Sequence, residues 1–385
     1  MLRSHWRLRP DTIYLNHGSF GPPPVRVQTA RYEWQQALDS QPMDFYVRQL
    51  SPAWLAARER LASFLHTAAD NLIFCENATA GMNVVARSFR LAPGDEVLLT
   101  NHEYGAVRRI WERACREAGA EPPRTVDLTH PFVDPATTAR EVADAVTPNT
   151  RLVIVSHITS PTAVTLPVAE IARLVQAKGA QLCIDGPHAI AQLPLDLDAI
   201  GADYYTASCH KWLSAPFGSG LLHVHPRHQS TIQTPYLSWG RLQPDLPSDW
   251  WEEFLWSGTR DYSPYLAIPA ALDFLEEIGW ERFRQQTHEL ARYARGKLLA
   301  LGLSDRPPLV PDDPTWYGTM AHLPLPAGDS RALQLALWER HGIEVPIVSW
   351  NDERWIRVSC HLYNDEKQVD TLAEAVAKLV GREGM

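Results

Sequence analysis

The sequence predicts an α/β protein: a large, mostly parallel sheet flanked by helices, followed by a smaller C-terminal α/β unit. Three observations carry this. Five short runs, EVLLT (96–100), RLVIVSH (151–157), QLCIDG (181–186), DYYTAS (203–208) and GLLHVH (220–225), are apolar and rich in β-branched residues. Most lack alternation, the pattern of strands buried on both faces. Helical patterns separate several of them, at 107–119 and 168–179, and strand–helix alternation builds a parallel sheet with helices on both sides. Asp185 and Ser208 then fall at the carboxyl ends of strands, where such sheets bind ligands.

In chain order, an N-terminal arm, 1–24, ends in NHGSFGPPP. Gly18, Gly21 and three prolines make this an extended, ordered loop. Helical segments follow at 25–39 and 52–66, the second with Trp54, Leu55, Leu61, Phe64 and Leu65 on one face. The segments 41–49 and 234–256 read as loops that set side-chain selectivity, the latter rich in aromatic residues. A long connection rich in Pro, Trp and Ser runs from 230 to 264, and 269–302 reads as strongly helical. The tail predicts a strand at 318–325, a helix at 331–342, strands at 342–348 and 354–360 and a helix at 365–380. We place the large domain at 25–262 and the small one at 263–385.

Composition narrows the function. At 385 residues the chain has room for more than one domain. Apolar content is 45% and charged content 21%, as in ordinary globular proteins. The net charge of −9 without a basic tract argues against nucleic acid or an anionic membrane as the main partner. Five cysteines, an odd number without CxxC spacing, predict reduced thiols in a cytoplasmic protein. The start, MLRSHWRLRP, lacks the apolar core of a signal peptide. No run of about 18 apolar residues predicts a membrane span, and no metal is expected.

The chemistry centres on Asp185 and on Lys211, twenty-six residues later. Lys211 sits among small, aromatic and glycine neighbours in SCHKWLSAPFGSG. A lysine in a partly desolvated site loses pKa and becomes a nucleophile. A lysine Schiff base needs a carbonyl cofactor, and pyridoxal 5′-phosphate (PLP) also needs an anion at its ring nitrogen to act as an electron sink. Asp185 can supply that anion. Asn77-Ala78-Thr79-Ala80-Gly81 precedes a helical run, and a small-residue loop entering a helix offers free N–H groups to a phosphate. Thr79 is placed to cap that helix and touch the phosphate, while Ser208 and His210 are in reach of it. After EVLLT, Tyr104 is the first choice for stacking on a pyridine face, with His102 behind it. Ser160 and His188 are candidates for the cofactor's 3′-oxygen. Arg357, inside the strand 354–360, invites a carboxylate.

These residues resemble the class-V aminotransferase family of fold-type I PLP-dependent enzymes, closest to its isopenicillin N epimerase-like branch. The resemblance rests on NHGSFG near the start, NAT at 77–79, HEYGA at 102–106, SHITSPTAVTLPV at 156–168, DGPHA at 185–189, SCHKW at 208–212, GTRDYSP at 258–264 and RVSCHLYN at 357–364. It implies a seven-stranded-type sheet in the large domain and a homodimer with shared active sites. It also implies that Lys211 carries the Schiff base, that Asp185 pairs with the pyridine nitrogen, and that Ala78, Thr79, Ser208 and His210 hold the phosphate. Thr259 would reach the phosphate of the neighbouring subunit. Arg357 would take the substrate carboxylate, with Asn16 and His17 near it. Two departures stand out: Ala163 occupies a usual glycine, and Ser160 stands where the desulfurase branch has asparagine. No nucleophilic cysteine lies in 342–353, which argues against a desulfurase.

All candidate reactions begin alike, with Lys211 as proton carrier at Cα. Returning the proton on the other face epimerises, expelling a β-substituent makes a C–S lyase, and protonation elsewhere transaminates. An epimerase needs an acid/base on the second face, for which Tyr104, His102 and His17 are candidates. The substrate expected is an amino acid or a peptide-like amino acid.

Overall fold

The computed structural model describes residues 2–240 and 247–383. Its strands are β1 (Ile13–Tyr14), β2 (Leu72–Cys75), β3 (Glu96–Thr100), β4 (Arg124–Val126), β5 (Thr150–Ser156), β6 (Gln181–Asp185), β7 (Tyr204–Ser208), β8 (Gly220–Val224), β9 (Met320–Pro324), β10 (Ile343–Glu344), β11 (Ile347–Trp350) and β12 (Glu353–Ser359). Seven of them form one sheet in the order β2-β8-β7-β6-β5-β3-β4. Only β8 runs against its neighbours; the remaining pairings are parallel. The predicted α/β architecture is therefore present, with β2 and β4 added at the edges. These two are four and three residues long, too short to display a period.

Side chains explain why the central strands read as continuous apolar runs. Val97, Leu99, Leu152, Ile154 and Cys183 face Met82, Val107 and Trp111 from the helices Ala78–Ser88 and Gly105–Ala118. Their alternates Leu98, Val153, Val155, Leu182 and Ile184 face Val142, Ile171, Val175 and Trp54 on the other side. Strand residues alternate between faces, so a strand covered on both must be apolar throughout. Each fully buried Leu, Ile or Val stabilises the fold by about 1.5–3 kcal/mol.

The C-terminal unit is a three-stranded antiparallel sheet, β11-β12-β9. The strand predicted at 342–348 is split around Pro346: β10 pairs with β1 of the N-terminal arm, and only β11 joins β12. The arm thus threads the C-terminal unit before it reaches the large sheet. The helical stretch 269–302 is two helices, Ile268–Ile278 and Trp280–Leu299, divided at Gly279. That residue has φ 93°, a region that L side chains avoid. The first helix packs on Val25–Ser40 and Leu50–Phe64, the second on β9 and on the terminal helix Glu366–Glu383. The change of packing partner falls at Gly279, whereas composition places the division near 262. Segment 41–49 is helical and runs into Leu50–Phe64, so it is not a loop. Part of 234–256, the residues 241–246, lies outside the described residues. Among the described residues no helix is long and apolar enough to cross a membrane.

Candidate active site

A cavity of about 300 Å³ opens at the carboxyl ends of β5, β6 and β7. It gathers Ser160 after β5, Asp185 and His188 at β6, and Ser208, His210 and Lys211 at β7. Ala78, Thr79 and Tyr104 enter from two helix N-termini, Gly18, Ser19 and Phe20 from the arm, and Arg357 from β12.

One wall is the start of the helix Ala78–Ser88. Asn77 caps it, its side-chain oxygen accepting from Ala80 N at 2.9 Å. The predicted cap, Thr79, lies inside the first turn, exposed to the cavity. Asn77 prevails because its backbone is extended, as a cap requires. Ala78 N donates to Ser208 Oγ at 3.0 Å, and Thr206 Oγ1 donates to the Ala78 carbonyl at 3.0 Å. Gly81 permits this closeness, since a Cβ there would stand 2.3 Å from Thr206 Oγ1. His210 is held neutral, its pKa pushed down to about 4 by burial and then by Lys211.

Asp185 ends β6, buried, and its carboxylate makes no side-chain hydrogen bond among the described residues. Burial raises its pKa, the nearby Glu103 raises it further, and Lys211 opposes both. Beside it, His157 N donates to the Asp185 carbonyl at 3.0 Å, and His157 Nδ1 lies 2.9 Å from the Tyr205 hydroxyl.

The surroundings of Lys211 favour its free amine. The Trp212 indole N–H, which can only donate, points at His188 Nδ1 at 3.3 Å. Burial, then Lys211, pushes the His188 pKa far down, so its one proton sits on Nε2. That N–H faces Lys211 Nζ at 3.2 Å, and an amine accepts only when unprotonated. Burial and then Arg357 lower the Lys211 pKa, in the same direction. The main chain is braced as well: His17 Nε2 donates to the Lys211 carbonyl at 3.0 Å, and His17 Nδ1 accepts from the Tyr363 hydroxyl at 2.8 Å. The His17 ring stacks on His361 at 3.9 Å between centroids.

Arg357 donates to the Ser160 carbonyl and, at 2.9 Å, to Ser19 Oγ. Burial lowers its pKa to about 10, which leaves it cationic at neutral pH. Its Nε is buried without a partner.

The structure thus brings ten predicted residues to one cavity and leaves four outside it. His17 is buried behind Lys211, with both ring nitrogens engaged. Asn16 is pinned to the C-terminal unit, bridging Ser359 and donating to Glu344 Oε1 at 3.3 Å. His102 is buried against Trp350 at 4.5 Å, its Nδ1 paired with Thr162 Oγ1 at 2.7 Å. Neither histidine lines the cavity. Thr259 is exposed, next to Arg260, which pairs with Glu76 in the wall of a second cavity. Sequence reasoning missed Ser19 and Glu103. A carboxylate directly after the apolar run EVLLT was the available sign for Glu103. At Ala163 the backbone keeps φ 57° without glycine, braced where Val164 N donates to Thr159 Oγ1 at 2.8 Å.

A buried carboxyl, a lysine shifted toward the free amine and a helix N-terminus in one cleft fit a ligand with a ring nitrogen, a carbonyl and a phosphate. The orphaned His210 Nδ1 and Arg357 Nε are consistent with polar partners yet to be met. Fold and site together define an α/β Schiff-base enzyme. Residues 31–372 match the aminotransferase class-V model, and the chain belongs to that family, whose members depend on PLP. It is 38% identical to the isopenicillin N epimerase of Amycolatopsis lactamdurans, over 98% of this chain and 97% of the epimerase. It is 27% identical to the L-cysteine desulfhydrase of Arabidopsis thaliana, over 95% and 87%. In fold it matches the cystine C–S lyase C-DES bound to cysteine persulfide, with TM-score 0.83 and 24% identity, covering 96% of this chain and 98% of that one.

Proposed function

We propose that this PLP-dependent enzyme epimerises the Cα of an amino acid or of a peptide-like amino acid. The observation that carries the reading is the cavity itself, in which the free amine of Lys211 shares a wall with Arg357 and Tyr104. PLP, when bound, supplies the carbonyl for Schiff-base exchange and a ring that accepts electrons from Cα. Ala78, Thr79, Ser208 and His210 would hold its phosphate, Ser160 and His188 its 3′-oxygen, and Asp185 its ring nitrogen. Arg357 takes the substrate carboxylate and so orients Cα. Lys211 moves the proton on one face. Of the three groups considered for the other face, Tyr104 alone lines the cavity. The near full-length similarity to an isopenicillin N epimerase supports this branch.

A C–S lyase is the second reading, favoured by the similarity to an L-cysteine desulfhydrase. A desulfurase is disfavoured: all five cysteines are buried and free, and burial pushes the Cys360 thiol up, away from the reactive thiolate. We also propose a cytoplasmic homodimer in which Thr259 reaches the neighbouring site. Exposed Tyr236, Leu237 and Trp239 supply apolar surface for it, and sedimentation of a monomer would end that proposal.

The test is incubation of the enzyme with an amino-acid panel in D₂O. Deuterium at Cα with inverted configuration is expected. Pyruvate with ammonia would make it a lyase, and a keto acid with pyridoxamine phosphate a transaminase. Arg357→Ala should raise KM for carboxylate substrates about tenfold or more with little change in kcat, the cost of one charge-assisted pair. It should also move PLP capture by Lys211 to higher pH, because the cation that lowers the lysine is gone. An unchanged KM would return Arg357 to a structural role.

A further inference from the structure

Arg357 is a buried cation without a counter-ion. Its guanidinium bonds two neutral acceptors, the Ser160 carbonyl and Ser19 Oγ, and among the described residues no carboxylate pairs with it. The remaining N–H groups of its fork, Nε among them, stay open to a ligand. A charge left buried and unpaired is costly, which suits a site that an anion completes. Ser19 is half-buried and lines the same cavity. Its oxygen accepts from Arg357 Nη2 at 2.9 Å. A hydroxyl also has a proton to donate, and no acceptor takes it among the described residues. Of the two atoms bonded to Arg357, only Ser19 Oγ carries a proton.

The turn that carries Ser19 is fixed on both sides. Ser19 N donates to the Asn16 carbonyl at 3.1 Å, and the Tyr14 hydroxyl donates to the Phe20 carbonyl at 2.7 Å. Asn16 in turn bridges Ser359, two residues beyond Arg357 on β12. Gly18 and Gly21 allow the close fit. A Cβ at Gly18 would stand 2.8 Å from Met320 Sδ, and one at Gly21 would stand 2.7 Å from the Lys211 carbonyl oxygen. The hydroxyl is therefore held between β12 and the peptide of Lys211 before a ligand arrives. Little ordering remains to be done on binding.

We propose that Ser19 is a second carboxylate-binding residue, whose hydroxyl accepts from Arg357 and donates to the substrate carboxylate. The two donors come from different elements, the arm and β12. A carboxylate held at two points cannot pivot about one, so Cα keeps a single orientation toward Lys211. The inference rests on the reading of Arg357 as the carboxylate handle. It is independent of which bond at Cα is broken, so a failed epimerase assay leaves it standing.

Propionate and propionamide, alike in shape and different in charge, are the probes. Their binding to the full-length, PLP-loaded enzyme is read by ligand-detected NMR, which needs no turnover. The wild type should bind propionate more tightly than propionamide. Ser19→Ala should weaken propionate by about tenfold, the scale of one hydrogen bond to a charged group. If Ser19 merely occupies Arg357, its removal frees an N–H, and propionate affinity holds or rises; that result would overturn the proposal. Borohydride reduction and mass spectrometry check the fold: Ser19→Ala should capture PLP at Lys211 as the wild type does. Loss of capture would also overturn the proposal, since Ser19 would then support the arm and not the ligand. Arg357→Ala separates the two levels. Unchanged propionate affinity in that variant, or a wild type that treats both probes alike, would sink the carboxylate handle itself. A loss in Arg357→Ala with none in Ser19→Ala would sink the role of Ser19 alone.

Discussion

Lys211→Ala should lower turnover by about 10⁴-fold or more, because one side chain gives both the nucleophile and the proton carrier. The structure shows how much of its surroundings serve that amine. Trp212 fixes the tautomer of His188, His188 donates to Nζ, and His17 holds the peptide carbonyl. Alanine keeps the peptide and both histidines but removes the amine. The variant should therefore still bind PLP, through the helix N-terminus and Asp185, without covalent capture. Mass spectrometry after borohydride reduction checks this: the wild type gains the mass of reduced cofactor at Lys211, and the variant does not. Retained turnover would refute the assignment outright.

Asp185→Ala should cost about 10³-fold in kcat, the scale of losing a preorganised charge at a developing charge. The carboxylate is buried, makes no side-chain hydrogen bond among the described residues and stands at the end of β6 between Ser156 and Thr206. Burial opposes its ionisation, with Glu103 adding to that, and a cationic partner reverses the balance. Among the described residues, alanine leaves no other carboxylate lining the cavity. The measurement is kcat together with the visible spectrum of the loaded enzyme against pH. A loss below tenfold would mean that another anion serves the ring nitrogen.

The parts of this site that were legible in the sequence are those that local chemistry dictates. Strands covered on both faces must be apolar throughout, so the central five could be read directly. Asp185 and Lys211 stand at ends of such runs, and the sheet sets strand ends side by side. What was hidden depends on partners far along the chain. His102 and Tyr104 are two residues apart after the same strand, yet one packs under Trp350 and the other faces the cavity. Nothing local separates them, because Trp350 arrives from the C-terminal sheet. His17 was placed near the substrate by the family resemblance. Tyr363 and the Lys211 carbonyl claim it instead. Thr79 and Asn77 are both capping residue types, and only the backbone at Asn77 decides between them. Glu103 was hidden because Ser156, its partner, belongs to the next strand.

The clasp at His17 has a bearing on how the enzyme comes into being. Tyr363 and His17 are 346 positions apart, and β10, which anchors the arm, is also formed late in synthesis. A ribosome must therefore deliver nearly the entire polypeptide before the reactive lysine is fully supported. Chains interrupted short of that point would carry every motif of the large sheet yet lack the brace behind the lysine.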